Sequence, residues 1–163
     1  MKKVVLMLLL VLSAITLTGC DLFKPAEKEF SGSGITITLN EDFSVTETVL
    51  VPFYLVSLDD IFMGSRESKS LFTNTTINSL QDYAEASLAN AGHEDATIYE
   101  SDSDTDYIYA YYSATNDGTE FGYMLICMES DDYYYVMNLG CLNKDLEGNK
   151  EQYIEWANTI SVD

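Results

Sequence analysis

Residues able to do chemistry are sparse in this chain, and their spacing limits the chemistries within reach. There is one histidine, His93, set between Gly92 and Glu94-Asp95. Zinc sites, Cys/His pairs and hydrolytic triads draw on histidine, and no second ligand or nucleophile stands at a supporting offset from this one. His93 therefore reads as a solvated loop residue. Asp102, Asp104 and Asp106 alternate with hydroxyl residues in Ser101-Asp102-Ser103-Asp104-Thr105-Asp106. Alternating carboxylates can ligate calcium, but an EF-hand loop needs glycine where Tyr107 stands and glutamate where Ser113 stands. The segment reads as an acidic turn. Weak divalent-cation binding is the alternative, and these three aspartates are its candidate ligands. Against a background of 27 Asp and Glu, no acid pair stands out for glycoside cleavage. No GxSxG, Walker or GxGxxG pattern occurs. The expectation is a protein that is not an enzyme, with no catalytic residues and no cofactor.

The remaining reactive group is a thiol. Lys2-Lys3 precedes an apolar run from Val4 to Leu12, then Ser13-Ala14-Ile15-Thr16 and Leu17-Thr18-Gly19-Cys20. Two positive charges and an apolar stretch shorter than the roughly 20 residues of a spanning helix form the layout of an export signal. Small residues ahead of Cys20 place a thiol at the cleavage point, and the segment resembles the lipobox of bacterial lipoproteins. That resemblance implies a signal peptide over residues 1–19, cleavage after Gly19, and a diacylglycerol anchor with palmitate-type chains on Cys20. Two or three acyl chains hold a protein at a membrane far more firmly than one. The expected location is the extracytoplasmic face of the cell membrane, with membrane lipid as a partner through acylated Cys20. Residues 20–33 are polar, with Pro25, Gly32 and Gly34 nearby, and read as a flexible tether. Residues 34–163 read as a single globular domain, long enough to bury a core without staples.

Charge narrows the partners further. The whole chain has 8 Lys+Arg against 27 Asp+Glu, a formal charge of −19. Loss of Lys2 and Lys3 with the signal makes the mature part more acidic still. Nucleic acid is excluded as a partner, because binding it needs a basic footprint. The acidity reads as surface solubility, with capture of cations or basic partners as the alternative.

The elements that position these residues follow from periodicity. Gly34 to Leu39 alternates with period two and is a strand, and Asn40-Glu41-Asp42 turns the chain. Phe43 to Val51 is a second extended segment, and Phe53–Leu58 and Ile61–Glu67 are weaker strands. Asn78 or Ser79 caps a helix whose apolar face carries Leu80, Tyr83, Ala84, Leu88 and Ala91, and Gly92 ends it. Ala96–Glu100 is a short strand. Thr105–Thr115, Glu120–Ser130 and Tyr133–Leu142 form a meander, with Asp117-Gly118 a strong hairpin signal and Asp131-Asp132 a weaker one. A last helix runs from about Asn149 to Ile160. Lys150 opposes the dipole at that start, which leaves the start open.

Tight turns at both hairpins set Tyr111 opposite Met124, Tyr109 opposite Ile126, and Met128, Ile126 and Met124 opposite Tyr135, Met137 and Leu139. One face is then Tyr, Met, Ile and Leu. The other, with Ile108, Ala110, Tyr112, Leu125, Cys127 and Val136, is apolar too. A sheet apolar on both faces must be covered on both, so the fold class is α+β: a mainly antiparallel sheet flanked by helices. The register puts Cys127 opposite Val136 and Cys141 opposite Gly122, on different faces and beyond disulfide reach. Both read as buried free thiols. Most of the 12 tyrosines fall between Tyr107 and Tyr135. They read as core residues, with Tyr112 and Tyr134 reaching solvent at the sheet ends and a binding face as the alternative.

Gly34-Ile35-Thr36-Ile37-Thr38-Leu39-Asn40-Glu41-Asp42-Phe43 resembles the opening strand and turn of bacterial PsbP-like lipoproteins, with Asn40 where proline is usual. Ser79-Leu80-Gln81-Asp82-Tyr83-Ala84 is similar to their "SLEEYA" helix, and Tyr133–Leu139 to their last strand. Tyr153-Ile154-Glu155-Trp156-Ala157-Asn158-Thr159-Ile160 resembles their terminal helix. The resemblance implies an α/β/α sandwich and a non-enzymatic accessory or binding role, and it brings no site residues. Three functions follow in order: a non-catalytic accessory module docking an envelope protein through a sheet edge or loop face, a receptor for a small ligand or cation, and an envelope hydrolase.

Overall fold

The computed structural model describes residues 25–163, and the expected signal peptide and Cys20 lie outside the described residues. Among the described residues the ten strands are β1 (Glu27–Gly32), β2 (Ile35–Asn40), β3 (Ser44–Val45), β4 (Phe53–Val56), β5 (Ile61–Ser68), β6 (Ile98–Glu100), β7 (Ile108–Asn116), β8 (Thr119–Glu129), β9 (Tyr133–Leu142) and β10 (Ser161–Val162). Helix α1 (Leu80–Asn90) stands between β5 and β6, and α2 (Asn143–Ala157) between β9 and β10. A 3₁₀ turn at Lys69–Phe72 leads from β5 toward α1.

Turn chemistry sets the register. Asp117 and Gly118 have φ of +48° and +79°, the left-handed pair that a two-residue hairpin of matching twist requires. Asn116 then pairs with Thr119, and the ladder places Tyr111 opposite Met124 and Tyr109 opposite Ile126. Across Asp131-Asp132, Met128 meets Tyr135, Ile126 meets Met137 and Met124 meets Leu139. Cys127 lies opposite Val136 and Cys141 opposite Gly122. Both thiols are free and buried, as that register predicts.

The meander is the centre of a seven-stranded antiparallel sheet in the order β3-β4-β5-β9-β8-β7-β6. Each face carries a helix. Met124, Ile126, Met137 and Leu139 pack with Tyr153, Trp156 and Ala157 of α2 in one core. Ile108, Ala110, Leu125 and Cys127 pack with Tyr83, Ala84 and Leu88 of α1 in the other. Ser79 caps α1 by accepting from the Asp82 N–H at 3.1 Å, and Gly92, at φ +79°, follows its end. Each fully buried large apolar side chain contributes about 1.5–3 kcal/mol. The two cores account for the sandwich.

Four details depart from the sequence expectation. First, Glu27–Gly32, read as tether, is a strand. Ser33 and Gly34 at φ +53° and +74° close a hairpin in which Gly32 pairs with Ile35 and Glu27 with Asn40. A Ser/Gly-rich linker and a Ser-Gly turn have the same composition. The pairing partner, and the burial of Phe30, decide for the turn. Second, the opening strand does not join the main sheet. It forms a separate sheet, β1-β2-β10, whose Ile35, Ile37 and Leu39 share the α2-side core. Third, the segment Phe43–Val51 pairs only at Ser44 and Val45. After the Thr46 N–H reaches the Tyr54 carbonyl at 2.9 Å, the chain leaves the sheet until Phe53, and Pro52 in that stretch has no N–H to give a ladder. Fourth, α2 begins at Asn143 and not near Asn149. Leu142 precedes it with no side-chain cap, Asp145 in the first turn is the one favourable start signal, and Leu146 is buried.

Candidate interaction surface

The residues that sequence chemistry singled out are not drawn together. Asp102, Asp104 and Asp106 are exposed. Their turn is organised by hydroxyls: Ser101 Oγ lies 2.7 Å from Ser103 Oγ, and Thr105 Oγ1 donates to the Asn158 carbonyl at 3.0 Å. Among the described residues no three of His, Cys, Asp and Glu converge as metal ligands. His93 is half-buried and not fully solvated, since its ring lies 4.6 Å from that of Tyr112. Tyr134, expected to reach solvent, is buried. Tyr83 of α1 stacks on it at 4.7 Å with a 13° interplanar angle, and the Tyr83 hydroxyl donates to Glu67 Oε2 at 2.7 Å.

Cys141, Tyr153, Asn149 and Asp60 form a polar cluster where the β4–β5 turn meets α2. The Tyr153 hydroxyl donates to Asp60 Oδ1 at 2.6 Å, and the Asn149 side-chain amide donates to the same oxygen at 3.2 Å. Burial raises the Asp60 carboxyl above its ordinary range, and the Tyr153 hydrogen bond opposes that in part. Burial also pushes up the Cys141 thiol and takes the Cys127 thiol to about 12. A nucleophilic cysteine needs the opposite shift. The cluster therefore ties a turn to a helix and does not activate a nucleophile.

An uncovered apolar surface lies elsewhere. Helix α1 packs on β7, β8 and β9 and leaves the β4–β5 side of the same face open. One cross-strand row shows the transition. It runs from Ala110 and Leu125 through Asn138 and Met63 to Tyr54. Ala110 and Leu125 are buried, whereas Asn138, Met63 and Tyr54 are half-exposed. Beside this row Tyr112 stacks on Tyr123 at 5.1 Å and donates to Asn138 Oδ1 at 2.9 Å. Burial, with the neighbouring Tyr123, pushes the Tyr112 hydroxyl up to about 12, so it stays a neutral donor. The Tyr123 ring lies over Gly140, where a Cβ would come within 2.6 Å of it. Pro52, Met63 and Val136 line a small recess with Leu50 at its rim. From that rim the 46–52 loop raises a crest on which Leu50 is 87% and Val49 fully exposed. An apolar crest beside an aromatic sheet face is a surface suited to a protein partner.

No family model matches the chain, and no curated protein matches it by sequence. Solved structures do match it. CyanoP, the cyanobacterial PsbP of Synechocystis sp. PCC 6803, aligns over 91% of this chain and 99% of its own with a TM-score of 0.53 and 11% identity. The fold is PsbP-like. LpqN of Mycobacterium tuberculosis, described as involved in cell envelope biogenesis, has the same arrangement: TM-score 0.51, 13% identity, 84% of this chain and 90% of that one. A protein from Bacteroides thetaiotaomicron VPI-5482 aligns with TM-score 0.56 and 13% identity over 83% of this chain. The present chain spans about half of that protein's length, 48%. At these identities the likeness establishes fold alone.

In this PsbP-like fold the crest and the Asp60 cluster escaped the sequence reading. Val49-Leu50-Val51 was absorbed into an extended segment, and the signal that marks it as a loop is Pro52 directly after. Asp60 looked like an ordinary turn residue, and nothing local ties it to Tyr153, which lies 93 positions away.

Proposed function

We propose that the chain is a membrane-anchored, extracytoplasmic, non-catalytic interaction module, held by acylated Cys20, that docks an envelope protein through its crest and open sheet face. The observation that carries the reading is the exposure of Val49 and Leu50 beside the half-exposed Tyr54, Met63 and Tyr123. On a surface as acidic as this one, an apolar patch whose loop carries only Glu47 is matched by an apolar partner surface. Three further points support the reading. The buried thiols are deactivated. The N-terminal run ahead of Cys20 has the layout of a lipoprotein export signal. A protein of the same fold, LpqN, is described as involved in cell envelope biogenesis.

The test is fractionation and in-cell crosslinking of the tagged full chain against Cys20→Ser. The reading predicts the full chain in the membrane fraction with a reproducible crosslinked protein, and the variant released with that partner lost. A variant that stays with the membrane contradicts the anchor. A full chain with no partner above background contradicts the docking role.

A further inference from the structure

A second groove lies on the opposite edge of the sheet from the crest. It runs between α1 and β6, the last strand in the sheet order, and encloses about 580 Å³. Ile77, Ala96 and Ile98 line it as half-buried apolar floor. Glu85 and Glu94 line it as exposed rim. Among the described residues no strand pairs with the outer edge of β6.

Among the described residues no base forms an ion pair with Glu85 or Glu94. Among the described residues Arg66, Lys69, Lys144 and Lys150 each lie within 4.0 Å of a carboxylate that is not part of the groove. Lys28 sits over the Phe30 ring. An apolar floor selects apolar side chains, a carboxylate rim selects basic ones, and an unpaired strand edge selects extended backbone. All three requirements meet in one kind of ligand.

We propose that this groove takes an extended, amphipathic, cationic segment of a partner protein, laid along the free edge of β6. Its apolar side chains rest on Ile77, Ala96 and Ile98, and its Lys or Arg side chains face Glu85 and Glu94. The surface is separate from the crest, so the two proposals stand or fall independently.

The test is a fluorescence titration of the full chain, held in phosphatidylcholine nanodiscs, with a short alternating Lys-Leu peptide. Lysine-only and alternating Ser-Leu peptides of equal length are the controls. The Lys-Leu peptide binds tightest. Glu85→Lys combined with Glu94→Lys weakens it by about tenfold or more, while Glu151→Lys with Glu155→Lys on α2, equal in net charge, leaves affinity within about twofold. Three results each overturn the proposal: no binding of the Lys-Leu peptide, equal loss in both double variants, or a lysine-only peptide that binds as well.

Discussion

Asp60 shows how a single carboxylate can hold a junction together at a cost. It accepts hydrogen bonds from Tyr153 and Asn149, yet burial raises its pKa above 3.8. The native state therefore binds the proton more tightly than the unfolded chain. Between 3.8 and the raised native value the native state carries more protons, so the stability contribution of Asp60 falls as pH rises through that window. Above it, the ionised group is a standing penalty. Asp60→Asn keeps an oxygen to accept from Tyr153 and removes the charge. The expected outcome is a variant at least as stable as the parent at pH 7, with its relative advantage shrinking as pH falls toward 4. Paired thermal melts at the two pH values check this, and the parent comparison cancels the general effect of acidification on so acidic a chain. Sequence could not show this cluster, because its members come from three separated elements and only the fold makes them neighbours.

Helix α2 carries a clear local conflict at the scale of elements. Its interior holds Gly148, whose absent Cβ would meet nothing within 4 Å, and its start lacks a side-chain cap. Propensity argues against this helix at its beginning, and burial of Leu146, Tyr153 and Trp156 overrides propensity. Gly148→Ala is expected to stabilise the protein by about 0.5–1 kcal/mol, with no contact to disturb. Urea denaturation measures it as a raised midpoint at constant slope. The same conflict explains why the sequence placed this helix six residues late. It also explains why α1, with Ser79 as cap and Gly92 after its end, was legible almost to the residue. The hairpins divide in the same way. Asp117-Gly118 and Asp131-Asp132 stand between clear alternating strands and fixed the register of β7, β8 and β9. Ser33-Gly34 follows a charged segment whose only buried residue is Phe30, so β1 looked like a tether.

On the scale of the whole molecule, acidity dominates. Four ion pairs among the described residues are all partly exposed and contribute little, about 0–1 kcal/mol each. Self-repulsion from a formal charge of −19 is the larger electrostatic effect. The melting temperature should therefore rise with salt, since raising ionic strength from 0.01 M to 0.15 M shortens the screening length from about 30 Å to about 8 Å. Calorimetry in a sodium chloride series checks the sign; a fall would mean that the ion pairs outweigh the repulsion. The sandwich itself was legible because two apolar sheet faces demand two covers. The second sheet was not, since β10 contributes only Ser161 and Val162 to it. The crest was hidden for a related reason: an apolar run reads as buried strand until a missing partner strand exposes it.

The most direct measurement places a photoreactive residue at position 50 of the tagged full chain in its native host, with position 151 on α2 as the comparison site. The account predicts a discrete protein adduct from position 50 that is absent from position 151 and lost when Val49→Asp is added. Adducts that are equal at both positions, or present only at 151, would contradict the crest as the docking surface.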